Sequence, residues 1–409
     1  MLSLRAFLKG SSILSLGQIF SQLTGLIRNS LIGHAVSPED FGRAAVFALV
    51  VSLVESISEI SADKLILQYK YGGNKKVISG IHFLNICKGT LCSILIILLH
   101  PVFLYFFEME EASWGLYLVA VVPFIKGFVN FDFIRKQREL EFIYLVKLDF
   151  FCQLTALFIA YITLEFIVDY RVSLFAILAQ ALSYTLYSHW QCKQGYSAKL
   201  NKPILIKTIK FGWPLLINGL GLFLILQGDK FIVSKFFSMD ILGYFAALTM
   251  LALMPAVIIT KVLMSTLLPI YSNKNHKNNL ITSNIPYFLS FLYIIYIVLF
   301  GDFLIDLVFG PKYLKQDYIF ILLGCMWFFR LLQAKIVIKE ISIGNTRTPL
   351  YATLIRLSFV PISFVFVLIE NELSSIVYSG ILGEMFALLY LLSLRKRSAL
   401  YVYNKSQVL

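Results

Sequence analysis

SSILSLGQIFSQLTGLIRNSLI at residues 11–32, followed by SPEDFG at 37–42, decides how this chain is read. The apolar run is long enough to cross a bilayer, which takes about 20 residues, yet it carries Gln18, Gln22 and the full charge of Arg28. A charge inside such a span needs a wet cavity or a partner. The figure recurs downstream, where the apolar run 211–233 carries Asp229 and Lys230 and is followed by SMDILG at 238–243. Both ends of the turn are displaced equally, since 238 − 37 and 243 − 42 each equal 201.

At 409 residues, 58% hydrophobic and 14% charged, with a mean hydropathy of +0.79, the chain is too apolar for a water-soluble globule. It reads as an integral membrane protein. A net charge of +13 would suggest nucleic acid in a soluble protein. In a membrane protein it is the lysine and arginine excess of cytoplasmic loops, and no nucleic-acid partner is expected. Cys87, Cys92, Cys152, Cys192 and Cys325 lack the paired spacing of a metal site or a disulfide framework and read as packing residues. Arg5 and Lys9 ahead of an apolar segment imitate a signal peptide. The segment is too long and too interrupted for one, so it is expected to remain as the first membrane helix.

About twelve candidate spans follow from the apolar runs: 11–33, 41–61, 77–99, 114–134, 142–164, 173–190, 211–233, 242–264, 285–306, 318–338, 350–369 and 374–394. The breaks between them alternate in charge. One set holds Lys64, Lys70, Lys75 and Lys76, then Arg135, Lys136 and Arg138, then Lys193, Lys199, Lys202, Lys207 and Lys210, and later Lys274, Lys277, Lys339, Arg347 and Arg395 to Arg397. The other holds Glu39 and Asp40, Glu108, Glu110 and Glu111, Glu165 and Asp169, Asp302 and Asp317, and Glu370 and Glu372. The basic set, and with it both termini, is expected in the cytoplasm. The run RKQRELE at 135–141 is expected to be a solvated turn that also meets anionic lipid heads.

The longest inner break, 191–210, divides the chain into an N-terminal six-helix lobe, 1–200, and a C-terminal six-helix lobe, 201–409. The 201-residue shift also pairs Leu31-Ile32 with Ile232-Val233, Glu39 with Asp240, Phe41 with Leu242 and Ala45 with Ala246. With an even number of spans per half, both copies run the same way through the membrane. The expected fold is therefore all-α and integral to the membrane, its two lobes related by a pseudo-two-fold axis along the membrane normal.

An ionisable side chain near mid-bilayer costs at least about 2.5 kcal/mol on insertion scales, so the charged residues at depth form a short list. Lys88, Lys126 and Arg330 lie mid-span, Arg356 lies in the inner third of its span, and Arg28 and Asp229-Lys230 lie toward outer ends. Glu55 and Glu59 share a helix face at spacing i, i+4, and Glu384 is central in the last span. Cations exceed anions in this list, which fits a phosphate- or pyrophosphate-bearing ligand held by arginine forks and lysine point charges. For Arg28, Lys230, Lys261 and Arg356, snorkelling to the interface or structural pairing is the alternative reading. The acids either pair with the bases or take up a proton or cation in energy coupling. No nucleophile elbow, Gly-rich phosphate loop or HExxH motif occurs and the histidines show no ligand spacing, so no catalytic residue, metal or cofactor is expected.

Several stretches resemble the oligosaccharide flippases of the multidrug/oligosaccharidyl-lipid/polysaccharide exporter superfamily, the Wzx-type exporters of O-antigen and capsule repeat units. They are 31–42 with its SPEDFG turn, FIRKQRELEFIYLVKL at 133–148, 211–244, LVFGPKY at 307–313 and GNTRTPLYATLIRL at 344–357. The resemblance implies a transporter, not an enzyme, moving a polyprenyl-pyrophosphate-linked oligosaccharide between the leaflets of a bacterial inner membrane by alternating access. It further implies a drive by H+ or Na+, a glycan polymerase and glycosyltransferases of the same pathway as partners, contact with membrane lipid and a monomeric state. Asp229 falls within a matching stretch and Arg28 lies just ahead of another, and the shift makes them counterparts, so they are expected to close an outer gate together. Lys88, Lys126, Arg330 and Arg356, with Arg28 and Lys230, are the expected substrate contacts, and Glu55, Glu59, Asp229 and Glu384 the expected coupling or gating acids. Two other readings stand beside this one: a multidrug or small-cation exporter of the same superfamily, and a membrane glycan polymerase or glycosyltransferase, which the short loops disfavour.

Overall fold

A computed structural model describes residues 4–57, 62–272, 280–343, 345 and 347–406. The described residues contain helices and no strand. In order they are α1 (Leu4–Ala35), α2 (Pro38–Ile57), α3 (Ala62–Gln68), α4 (Lys75–Leu98), α5 (His100–Phe107), α6 (Ser113–Gly127), α7 (Asp132–Arg138) and α8 (Ile143–Leu164). There follow α9 (Arg171–Trp190), α10 (Lys202–Phe236), α11 (Met239–Ser272), α12 (Leu280–Phe309), α13 (Asp317–Ser342), α14 (Arg347–Glu370) and α15 (Leu373–Ser406). Among the described residues, eight helices are long and apolar enough to cross a membrane, and a ninth span results if the bent pair α6 and α7 counts as one. The other three expected spans fall on α1, α2 and α9, whose apolar residues are interrupted by Gln18, Gln22 and Arg28, by Glu55, and by Gln180. The chain is a multi-pass membrane protein.

The described residues group into two compact units. The first comprises Met1–Phe223 with Phe237–Tyr244 and Val308–Gly310, and the second Leu224–Phe236, Phe245–Leu307 and Pro311–Leu409. In the first unit α8 packs on α9 and α1, and α6 on α4 and α9. A core of Leu65, Ile66, Ile81, Phe133 and Leu148 joins α3, α4, α7 and α8. In the second unit α15 packs on α13 and α14 around Ile336, Ala352, Ala387 and Leu391. Inside a bilayer lipid tails are as apolar as leucine, so close packing and interhelical hydrogen bonds hold such units together.

The repeated turn is visible in the backbone. Ser37 Oγ accepts from Asp40 N at 3.1 Å at the start of α2, and Ser238 Oγ accepts from Ile241 N at 3.4 Å at the start of α11. Each serine thus caps the third residue of its helix. Within the first unit the two turns meet. A Cβ on Gly42 would fall inside the van der Waals shell of Met239 O, and one on Gly243 inside that of Pro38 O. Since 239 − 38 and 243 − 42 are both 201, the contact is reciprocal under the sequence shift. A second correspondence lies further on. α5 ends in a left-handed residue, Glu108 (φ 52°), ahead of the 3₁₀ turn Glu110–Ala112, and α12 ends in Gly310 (φ 89°) ahead of the 3₁₀ turn Pro311–Gln316.

The run 135–141 differs from its expectation. Arg135 to Arg138 complete α7, and the charges are mostly spent inside the protein. Arg138 Nη1 donates to Ile66 O at 2.8 Å and to Tyr69 O, and Nη2 to Lys70 O at 3.0 Å, capping the end of α3. Lys136 pairs with Glu139 and Glu141 at 3.0 and 3.3 Å.

Candidate functional site

The site in the first unit is built around a break in a membrane helix. The apolar run expected as one span, 114–134, turns by 54° between α6 and α7. Breaking a helix at membrane depth frees backbone groups that lipid cannot satisfy, so protein side chains must. Thr185 Oγ1 donates to Ile125 O at 3.1 Å, and Asn85 Nδ2 donates to Lys126 O and Gly127 O at 2.8 and 3.0 Å. His189 Nε2 lies 2.8 Å from Phe128 O. On the far side of the break, Asn130 N donates to Ser188 Oγ and Phe131 N to His82 Nε2. Gly89 makes this possible, because a Cβ there would collide with Pro123 O where α4 crosses α6. The break leaves Lys126 in the last turn of α6, where the carbonyl end of the helix dipole favours a cation.

Lys126 lines a cavity of about 590 Å³. That volume is within the range of about 300–1,000 Å³ typical of ligand sites. The same cavity is lined by Glu55 of α2, Lys88 of α4, Asp149, Cys152 and Gln153 of α8, and Gln180 and Tyr184 of α9. Lys126 Nζ lies 2.5 Å from Glu55 Oε1, with the two side chains 39% and 41% exposed. Arg28 Nη1 donates to Gln180 Oε1 at 3.1 Å, linking α1 to the cavity.

The second unit holds a smaller, drier cluster. Glu384 of α15 is 4% exposed, accepts from Arg356 Nε at 2.9 Å and Gln333 Nε2 at 2.8 Å, and forms an ion pair with Arg330 Nη1 at 3.5 Å. Arg356 also donates to Gln333 Oε1, and the Arg330 guanidinium lies 4.9 Å over the Trp327 ring. Asp229, Arg330, Arg356 and Glu384 line one cavity of about 60 Å³. Breaking a buried pair of this kind costs several kcal/mol, about 3–5, whereas a half-exposed pair such as Lys126 with Glu55 contributes about 0–1. By burial, the Lys126–Glu55 pair is the cheaper to open and the Glu384 cluster the costlier to break.

A family profile described as Polysaccharide biosynthesis protein matches residues 35–316. The chain belongs to that family. The match agrees with the resemblance drawn from the sequence. No curated protein matches in sequence. Among solved structures, a multidrug resistance MATE family transporter of the MOP superfamily in an inward-facing conformation is similar, with a TM-score of 0.71 at 15% identity, covering 93% of this chain and 95% of that one. The lipid II flippase MurJ in an inward closed conformation has a TM-score of 0.71 at 18% identity, covering 94% and 87%. A MOP superfamily transporter from Pyrococcus furiosus, whose binding pocket is described as of reverse polarity, has a TM-score of 0.62 at 14% identity, covering 95% of each chain. This member of the polysaccharide biosynthesis family therefore has the fold of MOP-superfamily transporters. The proteins that share it are transporters and a flippase, not enzymes.

Of the residues named from the sequence, Glu55, Lys88 and Lys126 come together in the first unit, and Asp229, Arg330, Arg356 and Glu384 in the second. Lys230 Nζ donates to Gln227 Oε1 at 2.8 Å, and Asp229 Oδ1 accepts from the Lys230 backbone N at 2.9 Å. Glu59 lies outside the described residues. The residues missed are Asp149 and the amides Asn85, Gln153, Gln180 and Gln333. Asp149 is an acid inside an apolar run and was open to the same depth argument as Lys88. It changes the charge count, because Lys88 and Lys126 now face Glu55 and Asp149 in one cavity.

Proposed function

We propose that this chain carries a polyprenyl-pyrophosphate-linked oligosaccharide from the cytoplasmic to the periplasmic leaflet of a bacterial inner membrane by alternating access, with both termini in the cytoplasm. The observation that supports it most is the placing of Lys126, at the end of a broken helix, in a polar cavity of about 590 Å³ that also holds Lys88. Two lysines give point charges for a pyrophosphate, and Asn85, Gln153, Gln180 and Tyr184 offer hydrogen bonds to sugar hydroxyls. The prenyl tail stays in lipid. Arg330, Arg356 and Glu384 hold α13, α14 and α15 together, so their part is to stiffen the second unit while it moves. A proton or sodium gradient drives the cycle, the chain works as a monomer, and a glycan polymerase and glycosyltransferases act before and after it.

Glu55 and Asp149 on the same cavity favour a second reading, export of a small cation. Vesicles holding the purified chain and a defined lipid-linked oligosaccharide separate the two. With an imposed gradient, wild type should move the oligosaccharide and Lys126→Gln should not. Cation efflux with no oligosaccharide movement would favour the second reading.

A further inference from the structure

Among the described residues that line this cavity, Lys88 and Lys126 are matched in charge by Glu55 and Asp149. An anion that enters meets Lys126 already held by Glu55, at 2.5 Å, in a pair whose partners are about two-fifths exposed. An exposed pair is worth about 0–1 kcal/mol, so opening it costs little, while a carboxylate left beside a phosphate group repels it. We infer that Glu55 is a displaceable counterion: the anionic head replaces it on Lys126, and Glu55 takes up a proton from cavity water as it leaves. Binding of the anion and of the proton are then coupled, and by linkage each tightens the other.

The charged and titratable groups around Glu55 limit where the proton goes. They are Lys88 of α4, Lys126 of α6, Asp149 and Cys152 of α8, and Tyr184 of α9, with Arg28 of α1 reaching the cavity through Gln180. Lysine and arginine are already protonated, and the thiol and the phenol are neutral near pH 7. Among the described residues that line the cavity, only the two carboxylates have room for a proton. Of these, Glu55 is the one paired with the lysine that the anion takes over. Gln is nearly the size of Glu and keeps an oxygen for Lys126, so Glu55→Gln removes the charge and little else.

The inference rests on the proposal that this cavity binds a pyrophosphate, and the test keeps the two apart. The full-length chain in lipid nanodiscs is titrated with farnesyl pyrophosphate between pH 6 and 8 by calorimetry, in buffers of different ionisation enthalpy. Wild type should bind more tightly as pH falls, with a slope steeper than that of Glu55→Gln by up to about tenfold per pH unit, the limit for one coupled proton. Glu55→Gln should bind more tightly than wild type at pH 8. Comparing the two proteins cancels the proton that the ligand itself takes up. Equal affinity and equal slope in the two would overturn the counterion role and leave the anion site standing. Unchanged binding in Lys126→Gln, or no binding in wild type, would remove the site itself. Should Glu55→Gln fail to fold, the buffer dependence of the wild-type heat at pH 8, where the ligand is fully ionised, decides alone: no proton uptake there overturns the inference.

Discussion

Glu384→Ala should destabilise this protein far more than Glu55→Ala, although each removes one carboxylate from a salt bridge at membrane depth. The Glu384 carboxylate accepts from Arg356 and Gln333 and forms an ion pair with Arg330, whose side chain is 25% exposed. Interhelical hydrogen bonds in membranes average about 0.6 kcal/mol each, so the two from Arg356 and Gln333 set a floor near 1 kcal/mol. Stranding a buried charge costs about 3–5 kcal/mol and sets the upper figure. Glu55→Ala breaks a pair exposed by about two-fifths, worth about 0–1 kcal/mol. Thermal unfolding of the two variants in one detergent, at one scan rate, compares them directly. Glu384→Gln should fall between wild type and Glu384→Ala, because it keeps an acceptor and loses the charge. Equal losses in Glu384→Ala and Glu55→Ala would refute the division by burial into a costlier cluster and a cheaper pair.

Three further outcomes follow from the geometry. Gly42→Ala and Gly243→Ala should each cost about 1–3 kcal/mol by overpacking, and the double variant should cost less than their sum, because one parting of the two turns relieves both clashes; thermal melts of the three variants read this. Asn85→Ala should lower affinity for an anionic ligand as well as stability, since Lys126 O and Gly127 O lose their donor and the end of α6 is freed; ligand titration of the folded fraction separates the two effects. The Lys136 ammonium holds the Glu139 carboxyl below its ordinary range, so this contact is intact above the normal glutamate range and is lost as pH falls through the lowered value; amide exchange at 139–141, corrected for intrinsic rate, should rise there.

The spans were legible because length and apolarity alone decide whether a segment can cross a bilayer. The break at 128–131 was not. Phe128, Val129 and Phe131 read as a continuation of the apolar run, and the groups that satisfy the broken backbone come from His82 and Asn85 on α4 and from Thr185, Ser188 and His189 on α9. Nothing local in residues 114–134 announces partners so far along the chain. Glu55, Lys88 and Lys126 stand out in the sequence because a charge in an apolar run must have a reason. Asn85, Gln153 and Gln180 stand out less, because a neutral amide costs less. That Glu55 belongs to Lys126, and Glu384 to two arginines, is decided by helix packing.

The internal repeat shows why its sequence signal is faint while its backbone signal is strong. Where two turns meet reciprocally, a residue in one copy touches a residue in the other and the converse holds, as in a two-fold interface. Such a contact restricts only a few positions. Serine is needed at 37 and 238 to cap a helix, and glycine at 42 and 243 because a Cβ would collide with the opposite carbonyl. Between them, Pro38 stands against Met239 and Phe41 against Leu242, since the first turn of a helix and an apolar contact accept many side chains. The left-handed caps carry this further. Glu108 and Gly310 share no chemistry, yet each ends a helix with positive φ ahead of a 3₁₀ turn. Identity survives where backbone approaches backbone, and elsewhere lipid and apolar packing leave the side chains free to differ.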